Sequence, residues 1–170
     1  GEAMTASFTV AQKIETYMGL PANALMTTQA TYTAQNMGAG RMERVQTGAK
    51  HTVIISEAIS ICILTVVFIF ARPIVTAFGL GPEAIGYCTS HIRCVAICLI
   101  LFASYFPFLG LFQGAGDAFY STLVATSALA IRVASTYILQ PIPAISYRMV
   151  WWNPLFGWGL GFVLAWTHFL

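Results

Sequence analysis

The sequence has very few charged residues for its length. Only 8% of its 170 residues are charged, whereas about 25% is usual for a soluble domain. Its formal net charge is +2, and it lacks the basic stripe that binding to a nucleic acid requires. The composition therefore excludes an ordinary soluble domain and gives no reason to expect a nucleic-acid partner.

Patterns for metal binding, redox chemistry and nucleophilic catalysis are also missing. The four cysteines, Cys62, Cys88, Cys94 and Cys98, form no CxxC pair, and no histidine or carboxylate stands at ligand spacing beside Cys94 and Cys98. We interpret all four as small packing residues in helices, and we expect neither a metal site nor catalytic residues. A membrane enzyme or redox protein that uses these thiols stays an alternative, which thiol labelling would test because buried, inert thiols do not react.

The amino end lacks the basic and then apolar pattern of a cleaved signal peptide. The chain begins with Gly1 rather than methionine, in a stretch that has the pattern of a helix. We therefore expect the sequence to be a fragment of a longer protein.

The chain does contain long uncharged runs. Three of them reach the length of about 20 residues that a membrane-spanning helix needs. Two shorter runs reach this length when the helix is extended past one charged residue at one end. These observations predict an all-α polytopic membrane helix bundle with about five transmembrane helices, forming a single membrane domain over residues 1–170. The long runs are residues 16–40, 94–116 and 149–170, and the shorter ones are residues 58–71 and 118–131.

The densest positive cluster follows the first of these runs. Arg41, Arg44 and Lys50 are opposed there only by Glu43, and clusters of this kind stay on the cytoplasmic side of a membrane. We therefore predict that the loop around Glu43 is cytoplasmic and that the loop around Glu83 is outside.

Two glycine-containing loops at the same predicted end of the bundle share a pattern. They resemble a dinucleotide-binding fingerprint superficially, but neither follows a strand or has the third glycine. We interpret them as places where a helix ends and backbones approach closely. The first loop contains Gln35, Asn36, Gly38, Gly40 and Arg41, and the second contains Gly114, Gly116 and Asp117.

Two acidic residues are candidates for binding a cation or a substrate. Glu15 precedes Gln35 by 20 residues, or about 30 Å of helix, which is the thickness of the hydrocarbon layer. Glu57 lies about 9 Å inside the cytoplasmic boundary. The alternatives are an interfacial position for Glu15 and a polar bond between helices for Glu57. The guanidinium of Arg132 can extend outward to the interface, and counting places it at the opposite depth from Glu57.

Four motifs, in their order and spacing, resemble a known transporter family. The family is MATE (multidrug and toxic compound extrusion), and the chain is similar to the carboxy-terminal lobe of its bacterial members. The motifs are Leu20-Pro21 followed by residues 35–41, residues 113–117, Arg132, and Trp151-Trp152-Asn153-Pro154.

This resemblance implies helices eight to twelve of a twelve-helix transporter, without helix seven and the amino-terminal lobe. MATE proteins export mostly cationic or amphiphilic compounds in exchange for sodium ions or protons, and they need no cofactor. The implied partners are membrane lipid, such compounds and the missing lobe, and the implied location is the bacterial inner (plasma) membrane.

One departure from the family pattern bears on mechanism. Some members bind the coupling cation with a carboxylate on helix ten, whereas residues 94–116 contain no acid. Cation coupling would then rest on the absent lobe, as it does in other members, and Glu15 and Glu57 are the acids that remain as candidates on the first two helices. The alternative within the superfamily is a flippase for a lipid-linked oligosaccharide or polysaccharide, which would want a more cationic cavity.

Overall fold

The computed structural model describes residues 2–139 and 149–169, and this part of the chain is helical apart from short connections. The predicted all-α bundle with five helices is thereby confirmed. The helices are α1 (Glu2–Gly38), α2 (Met42–Thr76), α3 (Pro82–Gly114), α4 (Ala118–Leu139) and α5 (Met149–Phe169).

Helix α3 is the centre of the bundle. It packs against α1, α2 and α5 and touches α4, whereas α4 packs mainly against α5. Most side chains between Ala84 and Phe112 are buried, because this helix is apolar on all sides and has no face that favours water. The other helices therefore take their positions from α3.

The outward faces of α2 and α4 are apolar. Such an extensive exposed apolar surface would cause aggregation in water, so these faces suit lipid. By length and composition, three of the described helices, α2, α3 and α4, could each cross a membrane. Exposed apolar side chains include Ile54, Ile61, Phe68 and Ile69 on α2, and Phe119, Leu129, Val133 and Ile138 on α4.

Helix α1 differs because a stripe of polar side chains runs along its exposed surface, beside exposed apolar residues such as Tyr17 and Leu20. Its hydroxyl and amide side chains recur at spacings of four or seven residues, which are about one or two helical turns, and so lie along one side of the helix. Several of them donate hydrogen bonds to main-chain carbonyls one turn earlier in α1. This stripe suits contact with water or protein better than with lipid. It consists of Gln12, Thr16, Asn23, Thr27, Thr31 and Gln35.

Two glycines of α3 allow α1 to approach closely. A Cβ at Gly110 would overlap the main-chain carbonyl of Met26, and a Cβ at Gly114 would overlap that of Ala30. The four-residue spacing places both glycines on one face of α3, as in small-residue contacts between membrane helices. Gly114 thus serves the helix contact as well as the end of α3.

The first glycine loop is shorter than the sequence suggested. Helix α1 continues through Gly38, and α2 begins at Met42, so only residues 39–41 connect the two helices. The basic residues Arg44 and Lys50 therefore lie on the first turns of α2 rather than in a loop. The extent predicted for the loop was wrong because polar side chains at a membrane surface do not by themselves end a helix.

Candidate functional site

A cavity of about 330 Å³ lies between α1, α3, α4 and α5. Helices α1 and α4 both contact α3 and leave this space between them. The volume falls in the range of about 300–1,000 Å³ that is usual for small-molecule sites. The lining consists of Gln12, Glu15, Thr16, Gly19, Leu20 and Asn23 from α1, Leu99 and Phe102 from α3, Arg132 from α4, and Trp158 from α5.

Arg132 of α4 is held by contacts with α5. Its Nε donates a hydrogen bond to Oδ1 of Asn153 at 3.2 Å. Nδ2 of Asn153 donates in turn to the main-chain carbonyl of Arg132 at 3.0 Å and to the hydroxyl of Thr136. The guanidinium carbon lies 5.9 Å from the centre of the Trp158 ring. Gly157 makes room, because a Cβ there would overlap the arginine side chain.

Glu15 lines the same cavity from α1. Its side chain is partly buried, and Oε2 accepts a hydrogen bond from Nε2 of Gln12 at 3.1 Å. Within the described residues, Glu15 and Arg132 form no direct ion pair; the ion pair found there involves other residues. The cavity thus presents one acid and one base from different helices, with space between them.

Aromatic rings form the apolar part of the cavity wall. The centroid of Phe102 lies 4.9 Å from that of Trp158, 3.8 Å from that of Phe106 and 6.0 Å from that of Tyr105. Phe102 and Trp158 reach the cavity itself. Rings of this kind offer apolar surface to a ligand and can attract a cation to their faces.

Glu57 lies elsewhere, between α2 and α3. The hydroxyl of Ser104 on α3 donates a hydrogen bond to Oε1, and that of Ser60 donates to Oε2 at 3.3 Å. Both carboxylate oxygens are therefore occupied by serines, and the contact joins two helices. The structure does not bring Glu57 together with Glu15.

Residues of the first glycine loop end α1 through a defined set of hydrogen bonds. The N–H of Arg41 donates to the carbonyl of Asn36 at 2.8 Å, and the N–H of Gly40 donates to that of Met37 at 2.9 Å. This is the Schellman arrangement, in which the penultimate residue adopts a left-handed conformation. Gly40 has φ +69°, whereas Gly38 lies within the helix.

The second glycine loop ends α3 in the same way. The N–H of Asp117 donates to the carbonyl of Phe112 at 2.8 Å, and the N–H of Gly116 donates to that of Gln113 at 3.1 Å. Gly116 has φ +86°. The shared Gly-Ala-Gly sequence of the two loops thus corresponds to one shared way of ending a helix.

The side chain of Asp117 ties the second loop to the helices that follow. Oδ1 accepts the main-chain N–H of Tyr120 at 3.1 Å, which caps α4, and Oδ2 lies 3.0 Å from Nε2 of His168 at the end of α5. The Tyr120 ring stacks on the His168 ring with centroids 3.7 Å apart. The Tyr120 N–H and then His168 hold the pKa of Asp117 below its ordinary value.

The cysteines do not form a site. Cys88 and Cys98 are buried in α3, and Cys62 lies on the exposed surface of α2. The described residues contain no group of three or more histidine, cysteine or acidic side chains that could hold a metal ion. These positions give no support to an enzyme or redox protein based on thiols.

Comparison with known proteins decides the family. The MatE family model matches residues 1–138. The chain belongs to the MATE family. It is also similar to a solved structure described as "Inward-facing conformation of a multidrug resistance MATE family transporter of the MOP superfamily", with a TM-score of 0.83 and 21% sequence identity. The match covers 96% of this chain and 38% of the other. Among curated proteins, none matches this chain.

MATE membership has two direct consequences. The family consists of transporters rather than enzymes, and the apolar helices make this chain part of an integral membrane protein. At 21% identity the structural likeness shows the shared fold. The chain spans 38% of the length of that structure.

Several residues of the cavity were missed in the sequence. Phe102 and Trp158 resemble ordinary packing residues, and nothing in their spacing marks them. Arg132 did carry a signal, because an ionisable residue inside a membrane span indicates a functional site by default. Gly157 forms a GxxxG pattern with Gly161, which indicates close packing between helices but not which side chain fills the space.

Proposed function

We propose that the full transporter containing this MATE chain exports cationic or amphiphilic small molecules in exchange for sodium ions or protons. It would do so in the bacterial plasma membrane and without a cofactor. The observation that carries the proposal is the cavity in which Glu15 stands beside Phe102 and Trp158. An acid next to aromatic faces is the combination that favours an organic cation.

The polar stripe of α1 supports a path for hydrated solutes. Gln12, Thr16 and Asn23 belong both to this stripe and to the cavity lining, so the cavity continues into the polar exposed face. That face has no partner within the described helices, and the amino-terminal lobe of the same transporter is the partner that the family fold implies. A water-filled path would then run between the two lobes.

A single carboxylate in the cavity provides a simple basis for exchange. A proton or sodium ion on Glu15 would neutralise the charge that attracts a cationic compound, so the two would compete. Competition of this kind makes binding of one favour release of the other. Glu57 is the weaker candidate, since serine hydroxyls already occupy both of its oxygens.

The charge of the cavity favours this function over lipid-linked saccharide flipping. Its charged lining residues are one acid, Glu15, and one base, Arg132. A flippase for an anionic lipid-linked substrate would want an excess of positive charge, which this lining does not have.

Ethidium efflux tests the proposal. We expect cells that express the full transporter to extrude ethidium when a sodium or proton gradient is imposed, and we expect Glu15→Gln to reduce this efflux at unchanged expression. Glu43→Gln is the matched control, because Glu43 is exposed at the start of α2. Efflux by Glu15→Gln at the wild-type rate under both gradients would remove Glu15 from the mechanism.

A further inference from the structure

The cavity contains a second charged group that the binding of a simple cation does not use. Arg132 donates its Nε hydrogen to Asn153, while its two terminal amino groups have no hydrogen-bond acceptor among the residues that the structure describes. A guanidinium without acceptors is costly inside a membrane protein. An anionic group on a ligand would supply those acceptors, since the planar guanidinium binds a carboxylate through two parallel hydrogen bonds.

The position of Arg132 is fixed before any ligand arrives. Asn153 accepts from Nε and donates to the main-chain carbonyl of the same arginine, and Gly157 leaves space for the side chain between α4 and α5. A side chain held in this way loses little conformational entropy when it binds. These contacts suit an arginine that binds a ligand better than one whose charge is only kept away from lipid.

Glu15 does not neutralise this arginine directly. Both residues line the cavity, but no direct ion pair joins them within the described part of the chain. A ligand that carries an amine and an acid could contact both at once.

We propose that this cavity binds compact zwitterions, with the ligand's ammonium group at Glu15 and its carboxylate at Arg132. This inference rests on the proposed export function and assigns the substrate class of the same site. The aromatic faces of Phe102 and Trp158 then contact the apolar body of the ligand. A volume of about 330 Å³ accommodates a molecule of the size of an aromatic amino acid.

The cavity should also bind zwitterions more tightly than amines that lack an acid. A ligand with an amine and no acid can pair with Glu15 but brings its positive charge near Arg132, whose terminal amino groups stay without acceptors. A zwitterion pairs with both Glu15 and Arg132. Since a hydrogen bond to a charged group contributes about 1.5–3 kcal/mol, loss of the acid should weaken binding about tenfold to a hundredfold.

Equilibrium binding to the purified full transporter tests this assignment. The probes are tritiated tryptophan and its methyl ester, which differ in the carboxylate, together with ethidium as a permanent cation. We expect the wild-type protein to bind tryptophan at least about tenfold more tightly than the ester. Arg132→Gln should weaken tryptophan binding to the level of the ester and so abolish that preference, whereas Arg72→Gln, at an exposed arginine of α2, should preserve it.

The outcomes separate this inference from the proposed function. Ethidium export together with equal binding of tryptophan and its ester by the wild-type protein would overturn the zwitterion site and leave cation export standing. Equal losses for all three probes in Arg132→Gln would also overturn it, because the arginine would then be structural. The wild-type comparison needs no variant, so it decides the matter even if Arg132→Gln fails to fold. Absence of ethidium export would instead overturn the proposed function.

Discussion

Ser104 of α3 donates a hydrogen bond to the carboxylate of Glu57 in α2, so the acid deepest in the predicted hydrocarbon layer joins two helices. For neither serine hydroxyl is this carboxylate the only hydrogen-bond acceptor within reach. The hydroxyl of Ser104 also lies 2.9 Å from the carbonyl of Ile100, and that of Ser60 lies 2.9 Å from the main-chain carbonyl of Glu57. Replacement of the acid would therefore leave both hydroxyls with an acceptor.

We accordingly predict a small effect for Glu57→Leu in the full transporter. The free energy of unfolding in mixed micelles should fall by about 0.6 kcal/mol and by no more than about 1.7 kcal/mol, the usual range for a polar contact between membrane helices. Glu57→Gln should export ethidium at the wild-type rate, because its amide oxygen can still accept from Ser104. A Gln variant that is stable but inactive would show that the charge itself takes part in transport.

Helix number could be predicted from the sequence, because it depends on the length of the uncharged runs. Counting residues predicts opposite depths for Glu57 and Arg132, and in the structure the two side chains have different hydrogen-bond partners. The loop around Arg41 was misjudged, since a polar helix start and a polar loop have the same composition.

The cavity could not be predicted in the same way. Counting residues along the helices placed Glu15 and Arg132 near the same membrane boundary. Such counting does not show which helices are neighbours or in which direction a side chain extends. The contact between Arg132 and Asn153 joins residues 21 positions apart, and no local sequence pattern marks such a contact. Such contacts depend on the packing of α4 and α5 as a whole.

The close contact of α1 with α3 predicts a sharp requirement for glycine at position 110. In Gly110→Ala, the new methyl group would overlap the main-chain carbonyl of Met26, and backbone cannot move aside as a flexible side chain can. We expect the free energy of unfolding to fall by about 1–3 kcal/mol, as for other overpacked sites. Gly86→Ala in the same helix is the control, because nothing lies within 4 Å of its added Cβ. Equal stability of the two variants would contradict the close approach.

The two glycines of the first loop should respond differently to alanine. Gly40 has φ +69°, and a left-handed conformation costs about 1–2 kcal/mol for a residue with a Cβ, so Gly40→Ala should lower the free energy of unfolding by that amount. Gly38 is helical with nothing within 4 Å of an added Cβ. Gly38→Ala should therefore be neutral or stabilise by about 0.5–1 kcal/mol. The opposite order of the two variants would mean that α1 ends elsewhere.

Asp117 should make the stability of the full transporter depend on pH in acid. The main-chain N–H of Tyr120 and then His168 hold its pKa below the ordinary value, so the folded state favours the carboxylate. The resulting stabilisation is complete above the unfolded pKa of about 3.9 and disappears as the pH falls through the lower folded value.

Melting temperatures measured from about pH 3 to 7 test this dependence. The wild-type protein should exceed Asp117→Asn in melting temperature at neutral pH, and the difference should shrink as the pH falls below about 4. Asparagine can still accept the Tyr120 N–H, so the comparison isolates the charge from the helix cap. His168→Gln should retain part of the pH dependence, because the Tyr120 N–H, the stronger influence, still favours the carboxylate. Parallel pH profiles for the wild-type protein and Asp117→Asn would show that the charge at this loop does not stabilise the fold.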